Sequence, residues 1–204
     1  GTSRTLRLAE MLHTQPEIYY VYQLDFRGRV YAASAGVSPQ GNDVAKAVLR
    51  FARAERLGER GCSWLKVHGA NKFGYDKASY DDRVAWIDAR RDEWLAVADD
   101  PIGARSVWAD ADKPYQFLAF CFEYAGMCRE GADYRSRLPV ALDGSCNGLQ
   151  HFSAMLRDAV GGGAVNLVPA DRPADIYQDV ADVCTKALRE LAHNAGTSDD
   201  ERVA

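Results

Sequence analysis

Leu138-Pro139-Val140-Ala141-Leu142-Asp143-Gly144-Ser145-Cys146-Asn147-Gly148-Leu149-Gln150 decides how the chain is read. An apolar run delivers an aspartate at its end, a glycine-flanked turn follows, and Leu149, Phe152 and Leu156 then share one helical face. The spacing predicts a short strand over 138–142, a turn at 144–148 and a helix from about Leu149 to Arg157. A carboxylate at the end of a strand, with Gly144 behind it to let backbone or phosphate come close, suits a hard divalent cation such as Mg²⁺. The same placement suits an ordinary structural cap, and the residues alone leave both readings open. They also fit a Gly-x-Cys-x-Gly nucleophile elbow centred on Cys146. That chemistry needs a doubly wound parallel sheet and a later histidine, and His193 is the one histidine after Cys146 and its helix.

Upstream, Tyr20, Tyr22 and Leu24 alternate with Tyr19, Val21 and Gln23. After Asp25-Phe26-Arg27-Gly28, the β-formers resume at Arg29-Val30-Tyr31-Ala32. Period-two aromatics around a glycine turn predict a hairpin over 18–33. Ser38 to Asp43 reads as a loop ending in N-cap residues. Helices are expected near Val44–Ala52, over Cys62–Phe73, as one element over Asp81–Ala98, and over Pro114–Cys128. The last of these is apolar almost all round, as a helix buried on most sides must be. Beyond the Asp143 turn, Gly161-Gly162-Gly163 reads as a hinge. A final helix is expected with Asp171 as N-cap, Pro173 in its first turn, and an apolar stripe at Ile176, Val180, Val183, Ala187, Leu188 and Leu191. That stripe is expected to be exposed. Few strands, many helices and no βαβ alternation give a helix-rich α+β class.

Composition narrows the function. With 204 residues, 47% of them apolar and 26% charged, the chain is neither disordered nor fibrous. No apolar run nears the ~20 residues that span a bilayer, so no membrane role is expected. Five scattered cysteines without a Cys-x-x-Cys pair point to reduced thiols rather than disulfides or structural zinc. The net charge of −4 is distributed as +3 over residues 1–53, −2 over 54–142 and −5 over 143–204. Any contact with nucleic acid therefore depends on a local basic cluster, such as Arg27 and Arg29 on their turn. Without further information, a local ion pair between one of these arginines and Asp25 is the simpler role.

The stretch from Pro139 to Gln150, continuing His151-Phe152-Ser153-Ala154-Met155-Leu156-Arg157-Asp158, resembles the first catalytic-aspartate motif of the single-subunit, phage-type DNA-dependent RNA polymerases. Asp25-Phe26-Arg27-Gly28-Arg29-Val30-Tyr31 followed by Pro39-Gln40-Gly41-Asn42-Asp43 resembles a segment upstream in the same family. Further similarity lies at Trp64 to Asn71 and at Phe117 to Gly126. The likeness runs from about Tyr20 onward, and the phage members are more similar than the mitochondrial ones.

This resemblance implies the palm of a right-hand polymerase with a helical insertion. Residues 1–17 would be the end of a thumb or linker and 18–53 the first part of the palm. Residues 54–133 would be the helical insertion, 134–158 the palm with the catalytic aspartate, and 159–204 the start of the fingers. It implies that Asp143 binds catalytic Mg²⁺ through its carboxylate and Gly144 through its backbone carbonyl. Arg27 and Arg29 would lie near template and nascent RNA, and Tyr177 near the incoming nucleotide. The implied partners are a DNA template, RNA and nucleoside triphosphates, in a single-subunit monomer acting in a bacterial host cytoplasm. Two metals about 3.5–4 Å apart activate a 3′-hydroxyl and stabilise leaving pyrophosphate, and phosphoryl transfer needs positioning more than covalent chemistry.

In that family a second carboxylate, a lysine and a tyrosine come from later motifs, none of which occurs among these residues. The site would be half present, and the expectation is a fragment that does not polymerise alone. A primer-extension assay of the 204-residue chain with Mg²⁺ checks this, with no product expected. The rival readings are a non-catalytic interaction module and a DNA polymerase of the related right-hand group.

Overall fold

The computed structural model describes residues 2–34, 36–141 and 144–194. Two compact units divide the chain, one up to Ala141 and one from Leu142 onward.

The first unit opens with helix α1 (Thr2–Leu12) and the expected hairpin, β1 (Tyr22–Leu24) against β2 (Val30–Ala32), antiparallel with Gln23 opposite Tyr31. Helix α2 (Asp43–Ala47) is shorter than its apolar spacing suggests. Asn42 caps it by accepting the Ala45 N–H at 3.0 Å. Strand β3 (Glu55–Arg56), helices α3 (Gly58–Phe73), α4 (Tyr80–Asp88), α5 (Arg91–Asp99), α6 (Arg105–Trp108) and α7 (Pro114–Glu130), and strand β4 (Arg135–Ser136) follow. β3 pairs with β4, so the two ends of the helical segment return to one another.

The core forms around α7. Phe117, Phe120, Cys121 and Tyr124 are fully buried, and with Leu65, Ala70, Ile87, Trp94 and Val97 they make one apolar cluster. Trp94 meets Phe117 edge-on, with ring centroids 5.1 Å apart, and Phe73 joins both rings. Close approach of α3 to α7 rests on Gly69, where a Cβ would collide with the Phe120 ring. Trp64, at the rim, packs on Tyr80, while Trp86 stacks on Tyr75. The four tryptophans are thus bound up in the helical segment, Trp108 through its indole N–H donated to the Pro101 carbonyl at 2.7 Å.

Two elements depart from the sequence reading. The single helix expected over Asp81–Ala98 is two helices, interrupted at Ala89-Arg90. The Ile87 carbonyl there accepts the Arg90 N–H at 3.2 Å and the Trp94 indole N–H at 3.0 Å. Seating the large indole in the core against that carbonyl outweighs helix continuity. The strand expected over 138–142 is also absent among its described residues, and pairing stops at Ser136. Pro139 has no N–H to give a ladder, and the Leu138 N–H turns to the Ser136 hydroxyl at 3.1 Å.

One buried carboxylate organises that region. Glu123, 6% exposed on α7, accepts from Ser136 Oγ at 2.7 Å, Tyr134 Oη at 3.2 Å and Arg50 Nη2 at 3.2 Å. The Phe51 N–H donates to the Arg137 carbonyl at 2.8 Å alongside. Asp43 likewise reaches a distant helix end, its carboxylate accepting the Tyr115 and Gln116 N–H groups at the start of α7. Both the charge and the acceptors suit a helix N-terminus.

The second unit holds α8 (Asn147–Leu156), α9 (Ala159–Ala164) and α10 (Ile176–Asn194). Gly161 to Gly163 do not form a hinge; they lie inside α9, whose start is capped by the Asp158 carboxylate accepting from Val160 and Gly161 N–H. The last helix begins later than Asp171 and Pro173 suggest. Asp175 serves its first turn, accepting the Gln178 N–H at its side chain. From Tyr177 to Leu191 α10 is exposed throughout, its apolar stripe included.

All five cysteines are unpaired, and no helix among the described residues is long and apolar enough to cross a membrane.

Two outcomes are expected. Phe120→Ala empties the centre of the cluster and should cost about 3–5 kcal/mol in a urea melt. His68 is 3% exposed, and burial, with Lys72 adding, pushes its pKa down to about 4. Its folded value lies below the unfolded one, so the unfolded chain binds the extra proton. Stability from this group is complete above about pH 6.5 and is lost as pH falls toward 4, by up to roughly 3 kcal/mol. His68→Asn should flatten that part of the stability–pH curve measured by denaturant melts.

Candidate functional site

The hairpin turn is built around one carboxylate. Asp25 Oδ1 accepts the backbone N–H groups of Arg27 at 2.8 Å and Arg29 at 3.0 Å. Asp25 Oδ2 accepts Arg27 Nε at 3.0 Å and Nη2 at 2.8 Å. Asp25 N–H reaches the Arg29 carbonyl, and Gly28 sits at φ 77°, a conformation that costs glycine nothing. The local ion pair that the sequence offers as the simpler role thus exists for Arg27. It uses the Nε–Nη2 edge of the guanidinium, whose carbon lies 5.4 Å from the Phe26 ring centroid. Arg29 contributes its backbone to the turn, and its side chain is exposed. The Asp25 carboxyl is held below its ordinary range, first by the Arg29 N–H and then by Arg27.

Gln40 locks this hairpin to the loop that follows it. Its amide donates to the Val30 carbonyl at 2.8 Å and accepts the Ala32 N–H at 2.7 Å, pairing with β2 as a neighbouring strand would. Gln40 lies in the Pro39-Gln40-Gly41-Asn42-Asp43 segment, but nothing in the sequence marks this bond. An amide two residues into a loop carries no periodic signal.

Asp143 lies outside the described residues, and the turn after it is described from Gly144. A Cβ at Gly144 would meet the Asn147 side-chain oxygen, which would have to turn aside. Cys146 takes a left-handed conformation, φ 54° and ψ 66°, to swing the chain into α8. Ser145 Oγ accepts from Asn166 Nδ2 at 3.0 Å. The same Asn166 amide donates to the Ala174 carbonyl at 2.9 Å and accepts the Ala174 N–H at 2.7 Å. Gln150 adds a bond from Nε2 to the Val165 carbonyl at 2.8 Å. The Tyr177 hydroxyl meets the Cys146 thiol, and this contact raises the tyrosine pKa.

The structure therefore brings Gly144 to Cys146 and Tyr177 into one locality of the second unit, while Arg27 and Arg29 stand on the hairpin of the first. His151 is exposed on α8. The missed residue is Asn166. Its signal was its place just after a glycine-rich helix, where asparagine adopts positive φ (here 60°) as a C-terminal cap.

No three His, Cys, Asp or Glu side chains among the described residues form a group able to hold a metal. Near the turn, Gly144 is exposed in the chain, and its carbonyl is a hard oxygen donor. A carbonyl of this kind can serve a cation such as Mg²⁺ only as one ligand of several, since Mg²⁺ takes one or two protein carboxylates and completes its shell with water and phosphate oxygens. The two-stranded antiparallel pairs found among the described residues do not provide the parallel sheet that a nucleophile elbow at Cys146 requires.

Asp25→Ala should release the turn. Amide NMR of residues 25–29 should lose the downfield, slowly exchanging signals of Arg27 and Arg29, with the remainder of the spectrum unchanged.

Comparison with known proteins gives a consistent result. The family model described as DNA-dependent RNA polymerase matches residues 55–203. A DNA-directed RNA polymerase of Enterobacteria phage T3 is 48% identical over 93% of the chain, and the T7 RNA polymerase of Escherichia phage T7 is 45% identical over 96%. A mitochondrial DNA-directed RNA polymerase of Schizosaccharomyces pombe is 41% identical over 86%. The chain spans 21%, 22% and 15% of the lengths of these three relatives. On this match the chain belongs to the family of DNA-dependent RNA polymerases of the phage and mitochondrial type.

Proposed function

We propose that this chain supplies the part of a DNA-templated RNA polymerase that carries its first metal-binding carboxylate, and that the whole enzyme extends RNA by two-metal nucleotidyl transfer. The observation that carries this reading is the similarity to phage polymerases at 45–48% identity across more than nine-tenths of the chain. Local support comes from Asn166, which joins the turn after Asp143 to Ala174, three residues before Tyr177.

In this reading, residues 18–53 and 134–158 belong to the palm. Residues 54–133 are its helical insertion, 1–17 come from a thumb or linker, and 159–204 begin the fingers. The Asp143 carboxylate and the Gly144 carbonyl hold Mg²⁺, with the remaining ligands coming from outside this chain and from nucleotide. When bound, Mg²⁺ lowers the pKa of the attacking 3′-hydroxyl and neutralises charge on the triphosphate. The residues of this chain hold and orient. Gly144 has no side chain to block phosphate, and Tyr177 stands beside the incoming nucleotide. The hairpin offers Arg27 and Arg29 to the phosphates of template and nascent RNA, where forked guanidinium donors suit paired oxygens. The exposed edge of Arg29 and the pre-ordered guanidinium of Arg27 act differently there. Arg27 arrives with its geometry already set by Asp25, so less conformational freedom is lost on contact.

The partners are a DNA template, the nascent RNA and nucleoside triphosphates. A single-subunit enzyme in the cytoplasm of a phage-infected bacterium is the setting that the phage relatives suggest.

The test replaces the matching segment of the phage T7 polymerase with this chain. Run-off synthesis of RNA in Mg²⁺ is expected from the hybrid, and Asp143→Asn should reduce it to the level of a no-enzyme control. A folded hybrid without activity, or an Asp143→Asn variant that still transcribes, would overturn the reading.

A further inference from the structure

We infer that Asn166 is a positioning residue that registers Tyr177 against the turn following Asp143, and through Tyr177 governs how tightly the incoming nucleoside triphosphate is held. The inference rests on the polymerase reading for its nucleotide, but its structural half stands on the bonds alone.

The side chain of Asn166 joins the turn to the approach of α10. Its amide nitrogen serves Ser145 Oγ, 21 positions earlier, and the Ala174 carbonyl, 8 positions later, while its oxygen takes the Ala174 N–H. All three bonds are between 2.7 and 3.0 Å. Tyr177 follows three residues after Ala174, and its hydroxyl meets Cys146, the residue after Ser145. The bonds thus run from Ser145 to Asn166 and from Asn166 to Ala174, which stands three residues before Tyr177.

The backbone supports the amide's placement from beneath. Asn166 sits at φ 60°, its N–H donates to the Gly163 carbonyl at 3.2 Å, and the Leu167 N–H returns to the Gly162 carbonyl at 2.8 Å. A helix end of this form favours glycine or asparagine. Glycine would satisfy the backbone, so the asparagine side chain is there for the bonds it makes. Aspartate would keep the acceptor for Ala174 but lose both donors.

The bonds of the Asn166 side chain go to Ser145 and Ala174, so removing them loosens the placement of Tyr177 without deleting any group proposed to hold Mg²⁺. The effect therefore falls on nucleotide affinity rather than on the chemical step.

The test has two arms. In the 204-residue chain, the rate of iodoacetamide alkylation is followed by mass spectrometry at Cys146, with exposed Cys184 as internal control. Asn166→Gly keeps the positive φ and removes the three bonds. It should raise Cys146 alkylation about fivefold while leaving Cys184 and the circular-dichroism melt unchanged. Ser145→Ala, which removes one bond, should give a smaller rise, and Asn166→Asp should fall between wild type and Asn166→Gly. An unchanged Cys146 rate in a folded Asn166→Gly chain would overturn the registration.

In the T7 hybrid, Asn166→Gly should raise the nucleotide KM about tenfold with kcat within about twofold. A loss confined to kcat, or no change in either, would overturn the nucleotide role. An inactive hybrid with Asn166 intact counts against the polymerase reading instead, and leaves the alkylation arm to decide the registration.

Discussion

A carboxylate buried on α7 governs how the first unit holds its ends together. Glu123 is out of water, and an isolated charge there would be prohibitively expensive. It is retained because three donors converge on it from outside its own helix: Arg50 from the segment before β3, and Tyr134 and Ser136 from the segment at β4. Removing any one leaves a buried acceptor short of a partner, which costs more than the bond itself contributes. Docking of both flanking segments on Glu123 therefore adds to the stability of the helical core, and the short β3–β4 pair joins the same two segments.

The same economy of polar anchors recurs wherever regular structure gives out. Asp25 organises a four-residue turn, Gln40 substitutes for a missing strand beside β2, Asp43 caps a helix more than seventy residues away, and Asn166 joins two segments of the second unit. Each supplies hydrogen bonds to backbone groups that no helix or ladder satisfies. Irregular segments that carry binding residues need such supports, because rigid placement there is not provided by secondary structure.

How much of this was legible in the sequence depends on the range of the interaction. Period-two aromatics around Asp25-Phe26-Arg27-Gly28 gave the hairpin, and the all-round apolar character of Pro114 to Cys128 gave the buried α7, because both are local patterns. The Asp143 turn and the helix after it were readable from glycine spacing and the Leu149, Phe152, Leu156 face. The interruption at Ala89-Arg90 was not, since it depends on where the Trp94 indole finds a carbonyl. The expected strand at 138–142 failed because periodicity registers apolar residues but not the missing N–H of Pro139. Of the site residues, Asp143, Gly144, Arg27 and Arg29 stood out from their local setting, while their polymerase roles, and Tyr177 altogether, came from family likeness. Gln40 had no periodic signal and Asn166 only its place after a glycine-rich helix, and the bonds their side-chain amides make across 8 to 21 positions leave no trace in composition.

The glycines of α9 carry a consequence of their own. Three of its six residues are glycine, the poorest helix former after proline, at a handicap of roughly 1 kcal/mol each relative to alanine. Such a helix does not hold itself up from the middle. It exists because Asp158 secures one end and the turn at Asn166 secures the other. That makes it behave as a suspended span. Its interior has little room for side chains, since a Cβ at Gly161 would meet the Asp158 carboxylate and one at Gly162 the Val168 side chain, so the span hangs on the backbone bonds at its two abutments.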